Sequence, residues 1–94
     1  MKIIWSKTSE LTLDEIIDYI ESKFGILVSE KYYSDVISTV EDIKNNPELF
    51  PIYQIQTATR KAVINKKTIL YYQIEHSHIN LLAFYDVRKG VHKL

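Results

Sequence analysis

The sequence predicts an α+β protein in which a helical hairpin packs on an antiparallel sheet, in the order β-α-α-β-β-β. Three observations predict it. Two amphipathic helical patterns follow each other closely between Leu13 and Asn46. Three strand-like runs follow: Thr57–Ile64, Thr68–Ile74 and Ile79–Tyr85. Their connections, Asn65-Lys66-Lys67 and Glu75-His76-Ser77-His78, are short and polar, as in a meander. Helices grouped before strands indicate separate layers of an α+β architecture.

Ile3-Ile4-Trp5 reads as a first strand. It is expected to join the sheet, since a lone strand leaves its backbone groups unpaired. Thr12-Leu13-Asp14-Glu15 matches a capping box, in which Thr12 and Glu15 satisfy each other's backbone N–H groups. Leu13, Ile16, Ile17, Ile20 and Phe24 then repeat at helical spacing, and Gly25 is placed to end the helix. Ser29 reads as the N-cap of the second helix. Its apolar stripe is Tyr33, Val36, Ile37, Val40 and Ile43, with Tyr32 on the flank. Asn45-Asn46-Pro47 stops it, because a residue before proline avoids helix. Residues 48–56 read as an extended lead-in, and Pro51 argues against a central strand there. In the run Thr68–Ile74, both alternating sets are large and apolar, which asks for cover on both faces.

Ninety-four residues suit one domain, 1–94, with no repeat or linker. There is no cysteine, hence neither a disulfide nor a thiolate metal site. No apolar run approaches the roughly 20 residues of a membrane span. The basic start Met-Lys-Ile-Ile-Trp-Ser-Lys lacks the apolar core of a signal peptide. A soluble cytoplasmic protein with no membrane partner is expected.

A zero net charge hides a strong division. Residues 1–50 carry five lysines against ten carboxylates, a net of −5. Residues 51–94 carry seven cations against Glu75 and Asp86, a net of +5. Such asymmetry provides a surface for an acidic partner.

Several chemistries find little support. His76 and His78 flank a turn and His92 stands near the end, without the carboxylates a metal site needs. No metal or cofactor is expected. There is no Gly-x-Ser-x-Gly elbow, and Gly25 and Gly90 are too few for a phosphate loop. The carboxylates, Glu41 and Asp42 among them, fall on helix faces opposite the apolar stripes. Basic groups are the more specific signal. Arg60 and Lys61 are neighbours in one strand and point to opposite faces. Ala58, Arg60, Ala62 and Ile64 share one of those faces by alternation. Lys66 and Lys67 form a hairpin tip, and Arg88 and Lys89 leave the last strand. Tyr53, Tyr71, Tyr72 and Tyr85 are either stacking surfaces for a nucleic acid or core residues with a polar tip.

Ile4-Trp5-Ser6, the helix Leu13–Gly25, Ile43–Pro47, Arg60–Ile64, Ile69–Ile74 and Ile79–Arg88 together resemble the RelE/ParE superfamily of bacterial toxins. The resemblance covers nearly the whole chain and implies the fold derived above. One branch consists of ribosome-dependent mRNA endonucleases (RelE-type mRNA interferases). In it, this chain would use Arg60, Arg88 and His92. However, Ile69 stands where that branch keeps an arginine, Ala62 where it keeps the second of two basic residues on the preceding strand, and Leu94 where it keeps a terminal tyrosine. The tail Tyr85–Lys93 is similar to the ParE-like, plasmid-stabilisation branch. The resemblance therefore implies the toxin of a type II toxin–antitoxin system that inhibits growth by binding a cellular target, DNA gyrase in some members. It implies a cognate antitoxin as partner. Arg60, Lys61, Lys66, Lys67, Arg88 and Lys89 are the candidate target or antitoxin contacts, and none is assigned to catalysis in that branch.

Overall fold

A computed structural model describes residues 1–89. The chain runs β1 (Lys2–Trp5), α1 (Lys7–Phe24), α2 (Ile26–Asn45), β2 (Ile52–Gln54), β3 (Thr59–Ile64), β4 (Thr68–Ile74), β5 (His78–Asp86) and a 3-10 turn (Val87–Lys89). The five strands form one sheet in the order β1-β5-β4-β3-β2. Strands β2 to β5 pair antiparallel, and β1 joins β5 in parallel, so the sheet is mixed. The predicted lead-in contains the short edge strand β2, where Pro51 is tolerated.

The helices cover one face of the sheet. Leu13, Ile16 and Ile20 of α1 and Tyr32, Val36, Val40 and Ile43 of α2 are buried with Ala62, Ile64, Leu70, Tyr72, Ile79, Leu81 and Phe84 of the sheet. Trp5 stacks on Phe84 with ring centroids 5.8 Å apart. The expected stripes are thus turned slightly. Tyr32 is core while Tyr33 is 48 % exposed, and Phe24 is 51 % exposed beyond the end of the core.

Both helix starts differ from expectation. The capping box at Thr12 does not form. Instead α1 begins at Lys7, with Ser6 as N-cap accepting from the Ser9 N–H at 2.9 Å. The reason lies in β5, whose register against β4 slips between Tyr71 and Tyr72 and leaves a bulge. Ser6 Oγ donates to the Leu82 carbonyl at 3.0 Å, and Thr12 Oγ1 accepts from the Phe84 N–H at 2.9 Å. The bulge residue Leu82, and Phe84 beyond the last pair with β1, therefore turn polar groups toward the hydroxyls of α1. Likewise α2 begins at Ile26, directly after Gly25 at φ +94°, and Ser29 is inside the helix, its Oγ donating to the Ile26 carbonyl at 2.9 Å. A positive φ lets one residue separate the two helices, and glycine takes it without a Cβ penalty.

The cover expected on both faces of β4 is present on one. Ile69, Tyr71 and Gln73 lie on the face away from the helices and are half-buried. Among the described residues, no helix packs there.

Candidate functional site

The candidate cations form two groups rather than one. The first is at the β2 edge. Arg60 shares the helix-side face with Ala62 and Ile64, and its Nη1 donates to the Phe50 carbonyl at 2.6 Å. This bond ties the connection after α2 to β3. Lys61 points to the open face, opposite Tyr71. Its Nζ lies 5.0 Å from the centre of the Tyr53 ring, a cation–π arrangement. Tyr53 in turn leans on Tyr71, with centroids 5.5 Å apart.

The second group lies roughly 13 Å or more along the sheet, at four residues of strand rise from Arg60 to the end of β3. Asn65 and Lys66 both have positive φ, 54° and 64°. That is the primed turn that suits the twist of a hairpin. The turn is docked on α2, since Asn65 Nδ2 donates to Asp35 at 2.6 Å while Lys31 bonds the same carboxylate at 2.9 Å. Those two donors hold the Asp35 carboxyl below its ordinary value, the Lys31 bond being the larger cause. Lys66 and Lys67 are exposed at the tip. Beside them the Val87 N–H donates to the Lys67 carbonyl at 2.9 Å, which brings Arg88 and Lys89 to the same end.

Arg88 is engaged internally. Its Nε and Nη2 form a fork on the Asp86 carboxylate at 2.9 and 2.8 Å, and its backbone N–H adds a third bond at 2.9 Å. Thr68 Oγ1, fully buried, donates to the Asp86 carboxylate and lies 3.0 Å from the Tyr32 hydroxyl. Burial pushes the Asp86 carboxyl up, but the bonds from Arg88 and Thr68 together outweigh it and leave it below the ordinary value. Burial pushes the Tyr32 phenol up to about 12, helped by the Asp86 charge and opposed by the Thr68 bond and Arg88. The Arg88 guanidinium also stands 5.6 Å over the Tyr32 ring. This latch fixes where the chain leaves β5, and Lys89 is exposed just beyond it.

Ile69 sits on the open face, opposite Val63 and Tyr85. The place of the nuclease-type arginine therefore carries an aliphatic side chain on the face where a charge would be presented. Of the four tyrosines, Tyr72 is core, its hydroxyl donating to the Pro47 carbonyl at 2.8 Å, whereas Tyr53 and Tyr71 border the open face. His92 and Leu94 lie outside the described residues. Among the described residues no group of three His, Asp or Glu side chains is placed to hold a metal. The same residues include no helix long and apolar enough to cross a membrane.

One feature was not legible as a site. Phe50, Pro51, Ile52, Tyr53, Lys61 and Val63 line an open cleft of about 430 Å³ at the β2 edge. Only the pairing of β2 with β3 brings these two stretches together.

The chain matches the family model described as "ParE toxin of type II toxin-antitoxin system, parDE" over residues 3–91. The chain belongs to the ParE toxin family. Membership in a family of type II toxins implies a cognate antitoxin as partner. The fold is similar to a solved chain from the chromosomal ParDE toxin–antitoxin system of P. aeruginosa, with a TM-score of 0.79. The likeness covers 92 % of this chain and 95 % of that one at 16 % identity. No curated protein sequence matches the chain. The RelE/ParE resemblance read from the sequence thus resolves to its ParE-like branch, and the mixed sheet is the form the expected α+β fold takes.

Proposed function

We propose that this ParE-family toxin arrests growth in the cytoplasm by binding and blocking a cellular target, DNA gyrase, without cleaving RNA. The observation that supports this reading is the state of the two arginines. A nuclease needs cations held ready for the charge that develops on phosphate. Here Arg60 is spent on the Phe50 carbonyl and Arg88 on the buried Asp86. Ile69 adds an apolar group at the third position. In this reading Lys61, Lys66, Lys67 and Lys89 make the contacts to target or antitoxin. Arg60 and Arg88 hold the segments that carry them.

The test is expression of the chain without a partner, following growth, DNA synthesis and mRNA integrity. Arrested replication with intact mRNA is the expected result. Early mRNA cleavage on ribosomes would establish the nuclease reading instead, with Arg60, Arg88 and His92 as its residues. Co-expression of a small acidic protein from a neighbouring reading frame is expected to restore growth.

A further inference from the structure

The turn between α1 and α2 projects beyond the core. Ile20 and Ser29 are the last buried residues on either side of it, and residues 21–28 are all exposed. Phe24, Ile26, Leu27 and Val28 are exposed by 51, 55, 78 and 43 % and stand outside the hydrophobic core. Contiguous apolar surface of this kind marks an interaction site. Local structure asks for something else here. A helix start favours Ser, Thr, Asp or Asn at its cap and acidic residues behind it. α2 has glycine at its cap, no side-chain cap bond and no acidic residue in its first turn. Such a departure from the local rule, in favour of exposed apolar side chains, is of the kind that function explains.

Shape and charge select the occupant. Gly25, at φ +94°, is the whole connection between the helices, so the tip is narrow and convex. A convex apolar tip is buried by a concave partner, and a preformed apolar cleft belongs to a folded protein. A disordered segment instead needs a groove to lie in. Cations stand at the same end of the molecule. Arg88 lies over Tyr32, and Asn65 is bonded to Asp35, residues about 9 and 14 Å along α2 from Ile26. Lys66, Lys67 and Lys89 follow directly on these anchors and are exposed. Among the described residues the ion pairs are Lys31–Asp35 and Arg88–Asp86, which leaves these three lysines without a carboxylate. Glu21 and Glu30 flank the tip and disfavour a phosphate backbone or an anionic membrane there. A protein cleft with acidic groups on one side of its rim meets both features.

We propose that the α1–α2 tip is a wedge that enters an apolar cleft of a folded protein target, with Lys66, Lys67 and Lys89 on the acidic part of its rim. The proposal rests on the reading that this chain blocks a target, and not on which target it blocks.

The test is Leu27→Glu in the full chain. The change puts an acidic residue in the first turn of α2, which suits the helix dipole, so its urea midpoint is expected to match or exceed that of the wild type. Expressed without a partner, it is expected to need at least about tenfold more protein to arrest growth, since a carboxylate would enter an apolar cleft. Purified gyrase is expected to bind it more weakly by the same factor. The double variant Lys66→Glu, Lys67→Glu is expected to weaken binding about tenfold and to lessen its salt dependence. Leu11→Glu, the same kind of change at an exposed position in the first half of α1, is expected to leave arrest unchanged. Arrest undiminished in Leu27→Glu, or a wild-type dimer in sedimentation that Leu27→Glu turns into monomer, would overturn the proposal. Replication arrest that Leu27→Glu leaves intact sinks the wedge alone. Arrest relieved by Leu27→Glu, with no binding of gyrase by the wild type, sinks gyrase as the target and supports the wedge.

Discussion

Removing the Arg88 guanidinium tests whether that residue holds the fold or meets a target. Asp86 is 1 % exposed and accepts from the Arg88 Nε, Nη2 and backbone N–H and from Thr68 Oγ1. Arg88→Ala takes away two of those donors and leaves a buried carboxylate with a backbone N–H and a hydroxyl. Breaking a buried ion pair from one side costs about 3–5 kcal/mol. The Arg88 side chain keeps 22 % of its exposure, so water relieves part of the loss. A cost near the lower limit, about 3 kcal/mol, is expected. That is a large share of the ~5–15 kcal/mol that holds a domain folded. Urea unfolding of Arg88→Ala, Asp86→Asn and the double variant measures both the loss and the coupling. The urea midpoint of Arg88→Ala should fall by more than about 1 M, and the two sites should couple by at least about 1 kcal/mol. A cost below about 0.5 kcal/mol, or purely additive losses, would refute the latch. If Arg88 instead met a target directly, the variant would lose toxicity while keeping its stability. The same latch sets an acid dependence. Because the folded Asp86 carboxyl lies below its ordinary value, its contribution is present above about pH 4 and is lost as pH falls through the folded value. Asp86→Asn should flatten the stability profile in that window.

The remaining predictions concern single groups. Thr12→Val strands the Phe84 N–H of β5 and should cost about 1–3 kcal/mol in urea unfolding, with most of it restored in Thr12→Ser. Lys66→Gly relieves a lysine at φ 64° and should raise stability by up to about 1 kcal/mol. If Lys66 serves in binding, the stabilised variant is also the less toxic one, which a growth assay reads directly. Gly25→Ala meets nothing within 4 Å but is held at φ +94°, so backbone strain alone should lower stability by about 1–3 kcal/mol. The Tyr32 phenol, pushed up to about 12, favours its neutral form in the folded state. Stability should therefore drop between pH 10 and 12 by on the order of 3 kcal/mol, and Tyr32→Phe should blunt the drop.

Much of the candidate site was visible as residue types. Arg60, Lys61, Lys66, Lys67, Arg88 and Lys89 stood out because charge in and beside strands is conspicuous against an acidic first half. Their division of labour was not visible. Arg88 and Asp86 are two residues apart, yet the pair matters because Thr68 and Tyr32, distant in sequence, bury it. The cleft joins residues 50–53 to Lys61 and Val63, and no pattern in either stretch announces the other.

What the chain determined by itself is the set of elements and their layering. Helical and alternating apolar periods are local and depend only on which side chains must leave water. Hence two helices, a meander and a first strand follow from the residues alone. What only the tertiary structure decided is where those elements begin and how their polar ends are satisfied. Thr12 has a good local cap within reach, but β5, past the end of its pairing with β1, offers its hydroxyl the partly buried Phe84 N–H. Ser29 gives up a cap because Gly25 lets α2 begin a turn earlier. Leaving a buried donor unpaired costs more than forgoing an exposed cap, so the distant contact wins.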